Sequence, residues 1–234
     1  MHNDKIPDDL CKAIKVIGNL ANRFSNVDVK TNSKVEIASS SYFLKIWRGY
    51  EAALLLIKQG YKDEADYVIR TILETCFILK CLSDNPGSTI EKLCSDYRVR
   101  KDSFVNIAYQ SPHFKEAIEA IREKPKNLAT KGDTKVNIEE WAKLAGLEVF
   151  YDIPYRMLSN SSHSGIAAID KYINMNDQDM ITSVSCQAED DDYMRSIVTL
   201  ISVMIISLES IGKILGIDLE PDIEIVGAII GAYA

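Results

Sequence analysis

The sequence predicts an all-α protein: one helical-bundle domain over residues 1–234, with room for a single small β-hairpin. Three observations predict it. Apolar residues recur at intervals of three and four along most of the chain, which is the spacing of a helix face. Alternating segments are scarce. The periodic stretches end at glycines, prolines and polar clusters, the usual helix boundaries. A chain of 234 residues can bury a full core, and 47% hydrophobic with 26% charged residues is a globular composition.

The elements follow in order. Pro7-Asp8-Asp9 marks a helix start, with acids in the first turn and Leu10, Ile14, Ile17, Leu20 and Ala21 at helical spacing. Asn26 to Ser33 is polar and turn-like. A long helix is expected from about Ser40 to Gln59, with Phe43, Ile46, Trp47, Tyr50, Leu54 and Ile57 inward, stopped by Gly60. Asp63 or a neighbour opens the next helix, and the short link at Gly60 makes the two antiparallel neighbours. Asn85-Pro86-Gly87-Ser88 is a break, with Ser88 as the expected N-cap of a helix over Thr89 to about Ala108.

Ser111-Pro112 opens a further piece through Ile121. Residues 125–135 are polar and are expected to form a mobile loop. Asn137 or a neighbour caps a short helix through Trp141 to Leu144, ended by Gly146. Pro154 places the start of the next helix near Asp152 as N-cap. The weak alternation of Ile181 to Cys186 suits a hairpin between Ile173 and Gln187. Glu189 to Asp192 reads as an acidic helix start, preferred over a cation site, and the last long helix ends at Gly216. The apolar tail, Ile225 to Ala234, can dock on the core or on a partner chain.

The net charge of −7 argues against a sequence-independent grip on duplex DNA, and leaves open a local basic pocket for a few phosphates. The five cysteines are scattered, and no spacing resembles a zinc site, so no metal and no cofactor is expected. They read as reduced, mostly buried thiols. Met1 to Lys5 has no apolar signal region, and Ile197 to Leu208 is short for a bilayer and reads as a core helix. The expectation is a soluble cytoplasmic protein.

The run Tyr155 to His163 carries the functional signal. Arg156 and His163 are seven residues apart, close to two helical turns, so both side chains fall on one face if the segment is helical. A permanent cation beside an imidazole that titrates near neutrality can hold a phosphate and move a proton. The same residue types equally suit a capping Arg and a buried His near a helix end, the commoner use of such a pair.

Arg156-x6-His163 resembles the R-x(4-6)-H motif of HEPN domains. Arg70-Thr71-Ile72-Leu73-Glu74, together with Tyr155-Arg156-Met157-Leu158-Ser159 ahead of His163, is also similar to a bacterial family of helical proteins that pairs an R-x-x-x-E helix with a Y-x-x-L-S-x-x-x-H segment. The likeness spans about Leu54 to His163. The resemblance implies a metal-independent endoribonuclease acting on single-stranded RNA, in a toxin or anti-phage defence setting, with a neutralising protein partner. It also implies a homodimer with the site at the interface. Arg156 would hold the phosphate, His163 would act as general base or acid, and Arg70, Glu74, Ser159 and Tyr155 would support or bind substrate. The alternative is a non-catalytic HEPN-like module binding a protein or a nucleotide. Met157, at a position usually polar in HEPN motifs, favours that alternative.

Arg70 and Glu74 are i and i+4 on a largely apolar helix, and serve either as an ordinary ion pair or as site-lining residues. Ser159, Ser161, Ser162 and Ser164 lack the G-x-S-x-G or S-x-x-K context of a nucleophile and read as capping or hydrogen-bonding groups. The basic residues Arg98, Arg100, Lys101, Arg122, Lys124, Lys126, Lys131 and Lys135 can steer RNA if they converge, and otherwise form a solvated face.

Overall fold

The computed structural model describes residues 6–24, 33–110, 114, 128–162, 172–178, 180–184 and 193–233. Within them the protein is an all-α bundle with one two-stranded antiparallel sheet. The helices are α1 (Asp8–Asn22), α2 (Lys34–Lys58), α3 (Lys62–Asp84), α4 (Pro86–Gln110), α5 (Ile138–Leu144), α6 (Glu148–Phe150), α7 (Arg156–Ser162), α8 (Tyr193–Leu215) and α9 (Glu220–Ile230). A π-helical turn, Tyr151–Tyr155, joins α6 to α7.

Helix α3 is the centre of the bundle. It buries Ile69, Ile72, Leu73, Cys76, Phe77 and Leu79 against α2 on one side and α8 on another. Each such side chain removed from water contributes roughly 1.5–3 kcal/mol before the entropy of ordering is subtracted. The α2–α3 link turns at Gly60, whose φ of 86° is costly for any other residue. Gly49 lets the two helices close up: a Cβ there would lie 2.7 Å from Ile72 Cγ1.

Helix α8 runs in the same direction as α3, as three contacts in sequence order show. Ser196 Oγ donates to Asp66 Oδ1 at 2.6 Å. Further on, the Ser207 hydroxyl meets Cys76 Sγ at 3.4 Å. At the far end, Lys213 Nζ meets Asp84 Oδ1 at 3.0 Å. Among the described residues, α8 is the one helix long and apolar enough to cross a membrane by length and composition. Most of it is buried in this bundle, so its apolarity is that of a core helix.

The tail docks on the chain's own core. Helix α9 packs on α1 and α8 through Ile223, Val226 and Ile230, and Tyr233 Oη donates to the Asp9 carboxylate at 2.8 Å. Val226 and Ile230 of the apolar tail are thus buried on the bundle, while Ile225 stays exposed.

Several boundaries differ from expectation for local reasons. Helix α2 begins at Lys34 instead of Ser40, because Ser33 is an N-cap that accepts from Glu36 N at 3.2 Å. Helix α4 begins at Pro86, with its preset φ, so Ser88 lies inside the first turn and is not the cap. Asp152 is not an N-cap either. The helix continues through Pro154, which has no N–H to donate, and the chain widens there into the π turn. Asn137 caps α5 as expected, accepting from Glu140 N at 2.8 Å, and Gly146 follows with φ 64°.

Strands β1 (Ile173–Met175) and β2 (Ile181–Val184) form the expected hairpin, with Ile173 opposite Val184 and a bulge between Asn174 and Met175. Tyr172 Oη ties its base to Asp63 of α3 at 2.9 Å. The expected helix from Ser111 to Ile121 and the acidic run Glu189 to Asp192 lie outside the described residues, apart from helical Phe114.

Candidate functional site

The centre of the site is the Tyr155 hydroxyl. Arg70 and Glu74 stand one helical turn apart on α3, so both reach the same point above it. Arg70 Nη2 donates to Tyr155 Oη at 3.0 Å, and Tyr155 Oη donates to Glu74 Oε1 at 2.9 Å. The Arg70 and Glu74 side chains pair directly, Nε to Oε1, at 3.5 Å. The Arg70 guanidinium carbon also lies 5.1 Å from the Tyr155 ring centroid. The tyrosine is 8% exposed, the two charged side chains 28% and 31%. Burial pushes the Tyr155 phenol up. The Arg70 bond works against that rise and the Glu74 bond adds to it, so the phenol stays protonated at neutral pH.

This arrangement fixes the head of α7. Ser159 Oγ donates to the Tyr155 backbone oxygen at 2.8 Å, a contact one turn back along the helix. Leu158 is buried beneath it. Four of the expected site residues, Arg70, Glu74, Tyr155 and Ser159, are thus brought together.

Arg156 is placed differently. Its side chain is 60% exposed, and its Nε lies 3.4 Å from Asp152 Oδ1. Its guanidinium carbon sits 5.2 Å from the Tyr151 ring centroid. Tyr151 in turn stacks on Tyr155, with centroids 5.0 Å apart and planes at 20°. Arg156 and the Arg70–Glu74 pair are therefore joined through two stacked rings. Tyr151 and Asp152 are the residues that sequence reasoning missed. The signal was present as Tyr151-x3-Tyr155 and Asp152-x3-Arg156, two i, i+4 pairs, but Pro154 between them argued for a helix start instead of a helix interior.

Arg156 also lies near α5. Lys143 holds the Glu139 carboxyl below the usual range, and the charge of Arg156 adds a smaller pull in the same direction. His163, the other half of the expected pair, lies outside the described residues, as does the structure of Ser164; the side chains of Ser161 and Ser162 are likewise not described.

Of the basic residues expected to steer RNA, Lys101, Lys131 and Lys135 are exposed, whereas Arg98 and Arg100 of α4 are bonded within the fold. Arg98 binds the Asp133 carboxylate with two nitrogens, one at 2.8 Å, and Arg100 Nη2 donates to Val136 O at 3.0 Å. Asp96 and Asp102 of the same helix accept from Val136 N at 2.9 Å and from Leu128 N at 2.9 Å. These side chains hold the chain over residues 128–136 against α4. Arg122, Lys124 and Lys126 lie outside the described residues. Among the described residues, no group of three or more His, Cys, Asp or Glu is placed to hold a metal ion.

A helical bundle with a charged, half-buried Arg–Tyr–Glu cluster at the head of one of its helices is the class that fold and site define. The chain belongs to a family of unknown function (DUF5677), whose model matches residues 36–181. That span runs from α2 to the start of β2 and contains every residue of the Tyr155 cluster. No curated protein matches the chain, and no solved structure matches it.

Proposed function

We propose that this protein is a HEPN-like, metal-independent endoribonuclease of a toxin or anti-phage defence system, acting on single-stranded RNA as a homodimer. The observation that carries the reading is the Arg70–Tyr155–Glu74 cluster. It anchors the head of the helix bearing Arg156 while leaving the Arg156 guanidinium open to solvent. In this scheme Arg156 binds the scissile phosphate. The ribose 2′-hydroxyl attacks phosphorus and yields its proton, the 5′-oxygen leaves with a proton returned, and a 2′,3′-cyclic phosphate remains. His163 manages one of those transfers. Arg156 offsets the negative charge that builds on the phosphoryl oxygens.

A second reading is favoured by a specific feature. Asp152 pairs with Arg156, Glu139 lies near it, and Met157 beside it takes an Arg195 contact at 3.8 Å. An arginine already balanced by carboxylates suits a non-catalytic module that exchanges Asp152 for an acidic group on a protein or nucleotide.

Fluorescence anisotropy with a labelled single-stranded RNA tests the shared premise. Arg156→Ala should weaken binding, and Asp152→Asn, which releases Arg156, should strengthen it. Binding unchanged in both variants removes Arg156 from the site. Tight binding without cleavage favours the module.

A further inference from the structure

We propose that the cleft between α8 and α9 is a binding site for a small amphiphilic cation, a protonated amine carried on an apolar body. The site is separate from the Tyr155 cluster and stands independently of the nuclease reading.

The cleft has a volume of about 510 Å³, which is in the range of small-molecule sites. Its floor is apolar: Leu208, Leu219 and Ile223 are buried, and Ile205 and Gly212 complete it. Its rim carries four exposed carboxylates, Glu209, Asp218, Glu220 and Glu224, and its lining residues include no Lys or Arg.

Nearby cations are already committed. Lys213 and Lys80 both bind Asp84, at 3.0 and 2.5 Å. Asp218 spends one oxygen on Glu220 N at 3.0 Å, capping the start of α9. Partial desolvation lifts the Glu209 carboxyl and the charge of Lys80 pulls it down, the same direction in which a cation held in the cleft would act. An apolar body gains from the floor, an ammonium group gains from the rim, and an anion of the same size is repelled.

Gly227 gives a clean way to close the site. It lines the cleft, and a Cβ added there meets nothing within 4 Å. A side chain placed there enters the cleft without disturbing the core, and replacing a helix-interior glycine does not weaken the fold.

The probe is dansylcadaverine, an apolar fluorophore on a primary amine, titrated into the full chain and followed by emission. Anilinonaphthalene sulfonate is the anionic control. The amine should bind at least about tenfold more tightly than the sulfonate. Glu209→Gln/Glu224→Gln should weaken the amine several-fold while sparing the sulfonate, and Gly227→Phe should abolish amine binding with unchanged circular dichroism. Glu209→Gln/Glu224→Gln read alone keeps the test decisive if Gly227→Phe misfolds. Equal affinity for amine and sulfonate, amine binding indifferent to Gly227→Phe, or no amine binding at millimolar probe overturns the proposal.

Discussion

Tyr155 donates its hydroxyl hydrogen to Glu74 Oε1 at 2.9 Å, across 81 residues of sequence, and so ties the head of α7 to the central helix α3. The bond is charge-assisted and half-buried, and the same hydroxyl accepts from Arg70. Tyr155→Phe keeps the ring and its stack on Tyr151 but removes both bonds. Hydrogen bonds to charged groups are worth about 1.5–3 kcal/mol, and the partial exposure of Arg70 and Glu74 reduces that to about 1–2 kcal/mol here. Urea unfolding should show that loss with an unchanged m-value. A loss below about 0.3 kcal/mol would mean that stacking alone positions α7.

One helical turn before Arg70 on α3, Asp66 is 3% exposed and accepts from Ser196 Oγ at 2.6 Å and from Lys62 Nζ at 3.0 Å. Asp66→Ala leaves a buried hydroxyl without its acceptor and Lys62 without its partner. The expected loss is about 2–4 kcal/mol, with Asp66→Asn intermediate because its amide oxygen still accepts from Ser196. Equal stability of all three proteins in chemical denaturation would show that α8 is held by apolar contacts alone.

Cys76 and Cys81 are buried, and burial pushes both thiols up to about 12, while Cys11 and Cys94 are exposed. A thiol whose pKa is raised in the fold contributes stability that is fully present below its unfolded value, about 8.5, and that is lost as pH rises through the folded value. Tyr155 and Tyr50, both raised by burial, act in the same direction at higher pH. The midpoint of thermal unfolding should therefore fall from about pH 9 upward. At neutral pH, brief iodoacetamide treatment followed by peptide mass spectrometry should find Cys11 and Cys94 labelled and Cys76 and Cys81 protected. Comparable labelling of all four contradicts the packing of α3 against α5 and α8.

The fold was legible because its apolar spacing is regular: all six residues of α2 read as inward from sequence, Phe43 to Ile57, are buried, joined by the small Ser39 and Ala53. The hairpin was legible from the weak alternation of Ile181 to Cys186, although all four residues of β2 are exposed. The π turn was not. Proline normally marks a helix start, whereas here the helix runs through Pro154 as a π turn whose last residue, Tyr155, is bonded to α3. Of the candidate site, the Arg70–Glu74 pair was visible as charges on a largely apolar helix, which need partners, and Tyr155 only through the Y-x-x-L-S resemblance. That Asp152 would take Arg156, and that Tyr151 would bridge the two arginines through a ring stack, depends on that same irregular turn and had no signal of its own.

In the proposed reaction, Arg156 and His163 cleave RNA. Its most direct test is incubation of purified wild type, Arg156→Ala and His163→Ala with single-stranded RNA in EDTA, with the product ends analysed. Metal-independent cleavage leaving a 2′,3′-cyclic phosphate is expected. Acid–base catalysis contributes roughly two to four powers of ten, so each variant should be slower by at least about a hundredfold with its helical signal intact. Cleavage that persists unchanged in His163→Ala, or that disappears in EDTA, would contradict it.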